Sequence, residues 1–189
     1  MSLKDYKQKR KFEKTTEPEG TVKTTGKNIF VVQKHDASSL HYDFRIEFNG
    51  VLKSWAVPKG PSTNPSQRRL AIETEDHPID YAEFEGVIPE GEYGAGAVII
   101  WDFGSYENIT EKNGTPVSLE KAYNDGHITI SLKGKRLKGG YALIKMKRKG
   151  QWLLIKTDDS YADRTVDITK KYITSVKSDK TLEDLEKAS

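Results

Sequence analysis

The stretch His41-Tyr-Asp-Phe-Arg-Ile-Glu-Phe-Asn-Gly-Val-Leu-Lys-Ser-Trp-Ala-Val57 decides the fold, because two alternating runs of polar and apolar residues flank a central Asn49-Gly50 pair. Asn-Gly between such runs is the strongest short-range signal for a β-hairpin, since both central residues of the tight turn need a positive φ. A two-residue loop there pairs Phe48 with Val51 and so sets the cross-strand register of the whole stretch. We therefore predict an antiparallel hairpin over residues 41–57.

One face of this predicted hairpin carries a polar row. Side chains of a strand alternate between its two faces, so His41, Asp43 and Arg45 project together. The register places Ala56 opposite Asp43 and Ser54 opposite Arg45, and these small neighbours leave room for a ligand. A polar row is also what the solvated outer face of an antiparallel sheet carries. A histidine and an aspartate two residues apart, followed by an arginine, favour a functional site over that ordinary surface.

Further short runs rich in β-branched and aromatic residues, bounded by Gly, Asn or Asp, indicate additional strands. They cover residues 29–32, 69–74, 97–103, 127–132, 139–147 and 151–157. Residues 118–124 and residues 6–12 could each form a short helix. Many short strands with few helices are typical of a sandwich or a barrel. We expect a mainly β chain that forms a compact, closed or nearly closed antiparallel β-barrel with one or two short helices and polar terminal extensions.

The apolar pattern divides the chain into three parts. Residues 1–28 are rich in lysine and lack apolar periodicity, which predicts a polar N-terminal arm. Residues 29–158 hold the predicted strands and form the expected barrel domain. Beyond them the apolar signal fades, so we expect residues 159–189 to form a polar C-terminal tail that is partly helical or disordered.

The absence of cysteine among the 189 residues excludes disulfides, thiolate metal sites and cysteine nucleophiles. No apolar run approaches the roughly 18 residues of a membrane span, and the N-terminus lacks the apolar core of a signal peptide. We therefore expect an intracellular, cytoplasmic protein with no membrane partner. The net charge is +3, and residues 133–149 carry eight Lys or Arg and no acidic residue. Such clustering is typical of a polyanion binder, although solvated strand faces produce the same pattern.

His35 precedes His41 by six residues, and a turn through residues 36–39 could fold it back over the polar row. Two imidazoles and one carboxylate, with Asp43 as the carboxylate, form a ligand set with open positions. Such a set suits manganese, iron or zinc. His127 has no comparable neighbours in the sequence, and we expect an ordinary core or surface histidine there.

A second polar cluster lies at residues 75–81. His77 could donate a proton or a hydrogen bond there, and Tyr81 follows four residues later. The acidic residues of this cluster could add metal ligands or belong to a solvated loop. Lys59 and Arg69 could supply positive charge, which phosphoryl transfer requires because charge develops on the non-bridging oxygens.

The motif Phe30-Val-Val-Gln33-Lys-His35-Asp-Ala-Ser-Ser-Leu-His41-Tyr-Asp43-Phe-Arg45 closely resembles the 3′-phosphoesterase domain of bacterial and archaeal DNA ligase D. The likeness continues through residues 52–61, 75–81 and 84–94, and it covers roughly residues 5–157. Motifs of this length are highly specific. The resemblance implies a small β-barrel with little helix.

The resemblance also implies an activity, DNA 3′-end healing. Such enzymes remove a 3′-terminal ribonucleoside as a phosphodiesterase and then the remaining 3′-phosphate as a phosphomonoesterase, which leaves a 3′-hydroxyl. It implies Mn²⁺, or another divalent transition metal, held by His35, His41 and Asp43. The substrates would be 3′ ends of DNA or of RNA-tipped DNA primer–templates. Since 189 residues leave no room for fused ligase and polymerase domains, we expect a stand-alone prokaryotic monomer that acts with a separate ligase and polymerase of end joining.

Further residues receive roles from the same resemblance. Arg45, His77 and Tyr81 are expected to act at the scissile phosphate, where a protonated His77 would stabilise the transition state or protonate the leaving oxygen. The positions expected to bind or orient the phosphate are Gln33, Ser54, Lys59 and Arg69. Glu17 resembles an acidic position of the family's N-terminal arm and is a candidate contributor from that arm. No sequence feature identifies the nucleophile, and metal-activated water is the simplest hypothesis.

Two other functions fit parts of the pattern. A catalytically inactive DNA-end-binding adaptor would use the basic segment 133–149 equally well, but it would not need the complete set of histidine, aspartate and arginine residues. A cupin-like metal enzyme acting on a small molecule would also use two histidines and a carboxylate. Its site would not need the arginines and lysines that suit a phosphate.

Overall fold

Eight antiparallel strands close into a barrel in the computed structural model, which describes residues 2–188. The strands of the chain are β1 (Ile29–Asp36), β2 (Leu40–Phe48), β3 (Val51–Val57), β4 (Arg69–Glu73), β5 (Gly86–Ile88), β6 (Gly96–Asn108), β7 (Glu111–Lys112), β8 (Thr115–Pro116), β9 (His127–Gly134), β10 (Lys138–Lys145) and β11 (Gln151–Lys156). The order around the barrel is β1, β2, β3, β4, β11, β10, β9 and β6, and the pairing of β6 with β1 closes the ring. β5 pairs with β6, and β7 and β8 form a separate two-stranded ribbon. The prediction of a mainly β barrel is confirmed.

The helices are short and mostly lie in the terminal segments. They are α1 (Leu3–Gln8), α2 (Leu119–Asp125), α3 (Ile168–Lys171) and α4 (Leu182–Glu186), and a 3₁₀ turn covers Ile79–Glu83. α2 begins after Ser118, whose side chain accepts a hydrogen bond from the Lys121 N–H, and it ends at Gly126 in the left-handed conformation. Across residues 2–188, every helix is too short or too polar to cross a membrane.

The hairpin of β2 and β3 has the register predicted from the sequence. Asp43 pairs with Ala56 and Arg45 pairs with Ser54. The turn residues Asn49 and Gly50 have φ values of 49° and 79°, the positive values that a tight hairpin turn requires. Local turn chemistry is therefore sufficient to set which side chains of this hairpin share a face.

β1 extends four residues beyond the predicted strand 29–32 and ends at Asp36. Its backbone pairs with β2 on one side and with β6 on the other, so both of its edges are hydrogen-bonded. The extension contains polar residues such as Gln33 and His35, so no apolar pattern predicts it. β1 is longer than predicted because it pairs with the distant strand β6 when the barrel closes.

The core has two parts, one inside the barrel and one outside it. Inside, three tryptophans are fully buried: Trp55, Trp101 and Trp152. Outside, the outward-facing side chains of β1, β3 and β6 pack beneath the N-terminal arm and the 3₁₀ turn, with Tyr6, Val31 and Leu52 all at 0% exposure. The outer face of these strands is therefore covered, unlike the solvated outer face of an ordinary antiparallel sheet.

Both terminal segments pack on the barrel. The predicted division into an arm (1–28), a barrel domain (29–158) and a tail (159–189) remains a prediction. In the arm, Tyr6 is fully buried. In the C-terminal part, Ile168 and Leu182 are buried, and Leu182 packs against Ala97 and Ile99 of β6.

Candidate active site

A pocket of about 330 Å³ opens on the outer surface of the barrel, between the ends of β1 and β2, the N-terminal arm and the loop 89–95. Six residues named from the sequence line it, namely His35, His41, Asp43, Arg45, His77 and Tyr81. Arg10, Glu75 and Tyr93 line it as well. One small cavity thus brings together side chains from four separate segments of the chain.

The side chains of His35, His41 and Asp43 form a candidate metal site, since one ligand atom from each lies within 4.8 Å of the others. His35 Nδ1 lies 3.6 Å from Asp43 Oδ2, and His41 Nε2 lies 3.6 Å from Asp43 Oδ1. The predicted turn back over the polar row is present, because His35 pairs directly with His41 across β1 and β2. Within the described part of the chain, no other group of three His, Asp or Glu residues is arranged in this way.

Hydrogen bonds hold both imidazoles in the tautomer that a metal requires. His35 Nε2 lies 2.7 Å from the carbonyl oxygen of Gly94, and His41 Nδ1 lies 2.9 Å from that of Ser39. A carbonyl only accepts, so each of these ring nitrogens carries its proton and donates it. His35 Nδ1 and His41 Nε2 are then the nitrogens on the Asp43 side, where each can bind a metal through its lone pair. Without a metal, an imidazole in this position stabilises the carboxylate only when it is protonated and donates to it. Donation of the outer N–H to a backbone carbonyl is the usual support for a metal-ligating histidine, and the donor set fits a divalent transition metal.

A glycine allows the loop 89–95 to reach His35. Gly96 has a φ of 135°, and a Cβ at this position would lie 1.8 Å from the carbonyl oxygen of Asp36. Only glycine lets the start of β6 approach the end of β1 this closely. The approach places the Gly94 carbonyl where it orients the His35 ring.

Charge at the candidate metal site favours an ionised carboxylate. Burial opposes ionisation of Asp43, but the Arg45 guanidinium and the two neighbouring imidazoles outweigh it and hold the pKa of Asp43 well below its usual range. Arg45 Nη2 donates to Asp43 Oδ2 at 3.0 Å. Burial likewise disfavours the charged form of His41, but the Asp43 carboxylate raises the pKa of that ring above its usual value. Asp43 is therefore negatively charged at neutral pH, as a metal-binding carboxylate has to be.

Arg45 and His77 form a second group next to the metal ligands. Arg45 Nε donates to Gln33 Oε1 at 2.8 Å, and Arg45 Nη1 lies 3.0 Å from His77 Nδ1. Gln33 in turn donates to the carbonyl oxygens of Tyr81 and Phe84. Gln33 therefore holds Arg45 from behind and does not line the pocket.

His77 is neutral, which differs from the protonated form considered in the sequence-based hypothesis. Burial, together with the positive charges of Arg45 and Arg10, holds the pKa of His77 well below its usual range. His77 Nδ1 lies 2.9 Å from the Glu75 carbonyl oxygen and Arg10 Nη2 lies 3.3 Å from His77 Nε2. Nε2 accepts from Arg10, so the single ring proton lies on Nδ1, where it can be donated to the Glu75 carbonyl oxygen. Arg45 Nη1, 3.0 Å from the same Nδ1, then faces a second donor, so the Arg45–His77 approach is a close contact and not a hydrogen bond. Ser54 Oγ, 3.4 Å from His77 Nδ1, helps to position the ring from the neighbouring strand.

The N-terminal arm contributes a buried ion pair of Arg10 and Glu17, of which the sequence analysis named only Glu17. Arg10 Nε donates to Glu17 Oε1 at 2.8 Å, and Arg10 Nη1 donates to Glu75 Oε1 at 3.1 Å. Tyr81 Oη donates to Glu17 Oε1 at 2.9 Å. Burial and the adjacent Glu17 carboxylate raise the pKa of Tyr81 well above its usual value, so its hydroxyl stays protonated. The candidate contribution of Glu17 is thus a contact with both Arg10 and Tyr81.

Arg10 and Tyr93 were missed as pocket residues, and Glu75 was considered only as a possible metal ligand or part of a solvated loop. Glu75 lies beside His77 in the cluster noted from the sequence, so its position could have been inferred from that motif. Arg10 stands in a lysine-rich segment without periodicity and carries no local signal. Tyr93 lies in the glycine-rich loop, is 50% exposed, and has Lys9 Nζ 4.7 Å from its ring centroid.

Two predicted phosphate-binding residues, Lys59 and Arg69, lie apart from the pocket. Lys59 is exposed in the turn after β3 and does not line it. Arg69 begins β4 and donates to Gln67 Oε1 at 2.8 Å. Their expected role remains a prediction without a contact to support it. His127 is exposed at the start of β9, outside the pocket.

The basic segment 133–149 is divided between the two ends of β10. Residues 133–138, here called the first basic turn, connect β9 to β10, and residues 145–149, the second basic turn, connect β10 to β11. The β10 strand between them has eight residues. At about 3.4 Å per residue the two turns lie about 25 Å apart. The single cluster seen in the sequence is therefore two separate surfaces.

Comparison with known proteins agrees with this site. The pattern of the family described as "DNA Ligase D 3′-phosphoesterase domain" matches residues 33–145, which include every proposed metal ligand. The multifunctional non-homologous end joining protein LigD of Pseudomonas aeruginosa is 47% identical over 189 residues, covering 95% of this chain and 22% of that protein. The LigD protein of Mycobacterium tuberculosis is 49% identical over 148 residues, covering 76% of this chain and 18% of that protein.

A third relative shows the same relation of lengths. The LigD protein of Mycolicibacterium smegmatis is 45% identical over 168 residues, covering 87% of this chain and 22% of that protein. The chain thus spans about a fifth of the length of the curated relatives it matches. The family pattern covers more than half of the chain and contains the candidate metal site. This chain therefore belongs to the DNA ligase D 3′-phosphoesterase domain family.

Proposed function

We propose that the protein heals DNA 3′ ends in two metal-dependent steps. In the first step it removes a 3′-terminal ribonucleoside as a phosphodiesterase, and in the second it removes the remaining 3′-phosphate to leave a 3′-hydroxyl. The observation that carries this proposal is the pocket in which His35, His41 and Asp43 stand next to the Arg45 guanidinium. The relatives' names point to non-homologous end joining, so a ligase and a polymerase of that process are the proposed partners.

The donor set of His35, His41 and Asp43 supports a resident divalent transition metal, with manganese as the proposed ion. Such an ion, when bound, supplies a Lewis acid that polarises a phosphate oxygen and lowers the pKa of water. Its charge would also change the net charge of the pocket. The ionisable side chains around the cavity form three cations and three carboxylates: Lys9, Arg10, Arg45, Asp43, Glu17 and Glu75. A divalent ion gives this balanced set a net positive charge, which favours a phosphate.

Arg45 and Arg10 are proposed to bind the non-bridging oxygens of that phosphate. A guanidinium offers a planar fork of donors that matches a phosphate. Both side chains are held before substrate arrives, Arg45 by Gln33 and Asp43, and Arg10 by Glu17 and Glu75. Fixed donors need no reorganisation as charge develops, which is the main source of electrostatic catalysis.

His77 and Tyr81 have different proposed tasks because their protons are held differently. The neutral His77 ring lies between two guanidiniums, and a phosphate bound there would offset their charges and raise its pKa. The ring could then take a proton in the substrate complex, which an already protonated histidine cannot do. Tyr81 keeps its proton and donates it to Glu17, which holds that carboxylate against Arg10 and so positions Arg10 for the phosphate.

The test uses a labelled primer–template that ends in a single 3′-ribonucleotide, incubated with the protein with and without manganese. We expect conversion first to a 3′-phosphate end and then to a 3′-hydroxyl end, and no conversion in a chelator. His41→Ala should abolish both steps, whereas His127→Ala, which changes an exposed histidine outside the pocket, should retain them. Manganese-dependent cleavage by His41→Ala at the wild-type rate would contradict the proposal. Tight binding without cleavage by the wild type would identify a DNA-end-binding adaptor instead.

A further inference from the structure

A row of paired residues links the metal-ligand strand to the second basic turn. Asp43 of β2 pairs with Ala56, Ala56 pairs with Ile72 of β4, and Ile72 pairs with Gln151 of β11. The Met146 N–H donates to the Gln151 carbonyl oxygen at 2.8 Å, which extends the row to the second basic turn. Cross-strand partners share a face of a sheet, so the row lies on the outer surface of the barrel. β2 and β10 are four places apart in the closed ring of eight strands, so the row curves halfway around the barrel, over β3 and β4, from the pocket to the second basic turn.

The row forms a shallow track without charge between its two ends. Ala56 lines the pocket, and the side chains of Ile72 and Met146 are each 39% exposed. Four strand spacings of about 4.8 Å separate Asp43 from Met146, so the track is about 19 Å long. Small and aliphatic side chains along it leave the surface open to a large partner.

Unpaired positive charge stands at the far end of this track. Lys147, Arg148 and Lys149 of the second basic turn are all exposed. Among residues 2–188, no carboxylate forms an ion pair with any of them. The turn is also held against the pocket, because the Glu73 N–H donates to the Gly150 carbonyl oxygen at 2.8 Å and the next residue, Thr74, lines the pocket.

The opposite lip of the pocket carries charges of both signs. The loop 89–95 brings Glu90 and Glu92 to that side, and Lys9 of the N-terminal arm lies against Tyr93 of the same loop. The second basic turn carries positive charge alone, so a polyanion whose end lies in the pocket is attracted more strongly to that turn than to the opposite lip.

We infer that the duplex part of the substrate leaves the pocket over β3 and β4, past Thr74 at its rim, and that Lys147, Arg148 and Lys149 of the adjoining second basic turn bind its backbone phosphates. This inference rests on the proposed function, because it takes a DNA 3′ end to be the group in the pocket. The partner is double-stranded DNA, recognised through its phosphates and not through its bases. Backbone spacing along one strand is about 3.4 Å and the path along the curved surface is about 19 Å, so these contacts lie within about five nucleotides of the 3′ end.

The test measures binding in a chelator, where cleavage cannot interfere. Hairpin-capped duplexes with 3 or 12 base pairs adjoining the 3′ end are titrated by fluorescence anisotropy over a series of salt concentrations. The variant K147A/R148A/K149A is compared with K133A/K135A/K138A, which removes the same charge from the first basic turn. We expect the second-turn variant to bind the 12-base-pair duplex about tenfold or more weakly, with a salt slope smaller by about two to three, since each phosphate contact contributes about 0.9. The 3-base-pair duplex should show little change.

Each outcome decides the inference. Wild-type affinity and salt slope in K147A/R148A/K149A would overturn it, and so would an equal loss in the two variants, which would show a general charge effect. Turnover of a 3′-phosphate dinucleotide, which is too short to reach the turn, should be the same in the wild type and K147A/R148A/K149A. Failure of the wild type to cleave any 3′ end would contradict the proposed function, while the binding comparison would still test the duplex surface.

Discussion

The two basic turns have similar composition, but within residues 2–188 their cations differ in whether they have hydrogen-bond partners. In the first basic turn, Arg136 Nη1 donates to the Thr174 carbonyl oxygen at 2.8 Å, and Lys135 Nζ donates to that of Val176 at 3.0 Å. In the second, Arg148 and its two neighbouring lysines have no such partners within the described residues. One set of charges fastens the C-terminal segment to the barrel, while the other remains available to a ligand. Net charge along the sequence therefore does not predict which cations bind a polyanion.

The largest expected effect comes from a substitution in the pocket, on β2, that separates chemistry from duplex binding. Asp43→Asn removes the negative ligand between His35 and His41 and leaves the second basic turn intact. We expect kcat to fall at least about 10³-fold, since both charge neutralisation and metal affinity are lost. Affinity for a 12-base-pair duplex in a chelator should stay within about twofold, because phosphate contacts dominate it.

The measurement is single-turnover cleavage together with anisotropy titration on the same preparation, with circular dichroism to check folding. A large loss of duplex affinity in Asp43→Asn would show that the two ends of the track do not act separately. Retention of wild-type kcat would remove Asp43 from the proposed site.

The next prediction compares how one substitution in each basic turn changes the free energy of unfolding. Arg136 contacts Thr174 and has its guanidinium carbon 5.3 Å from the centroid of Trp101. We expect Arg136→Ala to lower the free energy of unfolding by about 1–3 kcal/mol, because a half-buried carbonyl loses a charged donor. Arg148→Ala should change it by less than about 0.5 kcal/mol, as is usual for an exposed side chain without partners.

Urea unfolding curves measure the stability of both variants, and duplex titrations complete the comparison. The expected pattern is reciprocal, with stability lost at Arg136 and affinity lost at Arg148. Equal stability losses in the two variants would contradict the distinction drawn between the turns.

The smallest effect concerns pH and the start of β10. Burial opposes ionisation of Asp159, but the Lys156 ammonium and the N–H groups of Gly140 and Tyr161 lower its pKa to about 2. A carboxyl with a lowered pKa stabilises the fold above its unfolded-state pKa of about 4, and this contribution disappears as the pH falls through about 2. Asp159→Asn should therefore be less stable than the wild type at pH 7, and the difference should shrink between about pH 4 and pH 2.

Urea unfolding at a series of pH values checks this prediction. Lys147→Ala, which changes a side chain in the second basic turn, is the control and should show no such dependence. A stability difference for Asp159→Asn that stays constant down to pH 2 would show that the carboxylate does not stabilise this end of the strand.

Sequence patterns predicted the site only where the contacts are local. The pairing of Asp43 with Ala56 follows from the Asn49-Gly50 turn, because one tight turn sets the register of the strands that flank it. Sequence spacing raised His35, His77 and Tyr81 as candidates and family resemblance gave them roles, and all three line the pocket. Arg10 could not be predicted in this way, because its partners Glu17 and Glu75 depend on the packing of the arm over the barrel.

The neutral state of His77 also lies beyond local patterns. Its pKa depends on burial and on two guanidiniums, one from β2 and one from the arm. Neither contribution is visible at residues 75–81. Electrostatics of this kind depends on distances in three dimensions and on the exclusion of water.

By itself, the sequence determined the β2–β3 hairpin, its register and the polar row of His41, Asp43 and Arg45, because turn chemistry and strand alternation act over a few residues. Only the tertiary structure decided the rest. Closure of β1 onto β6 lengthened the first strand, and the arm covered an outer face that would otherwise be solvated. The fold also divided the basic segment 133–149 into two turns, because the eight residues of β10 separate them. Only the first basic turn contacts the C-terminal segment, through hydrogen bonds such as that from Arg136 to Thr174.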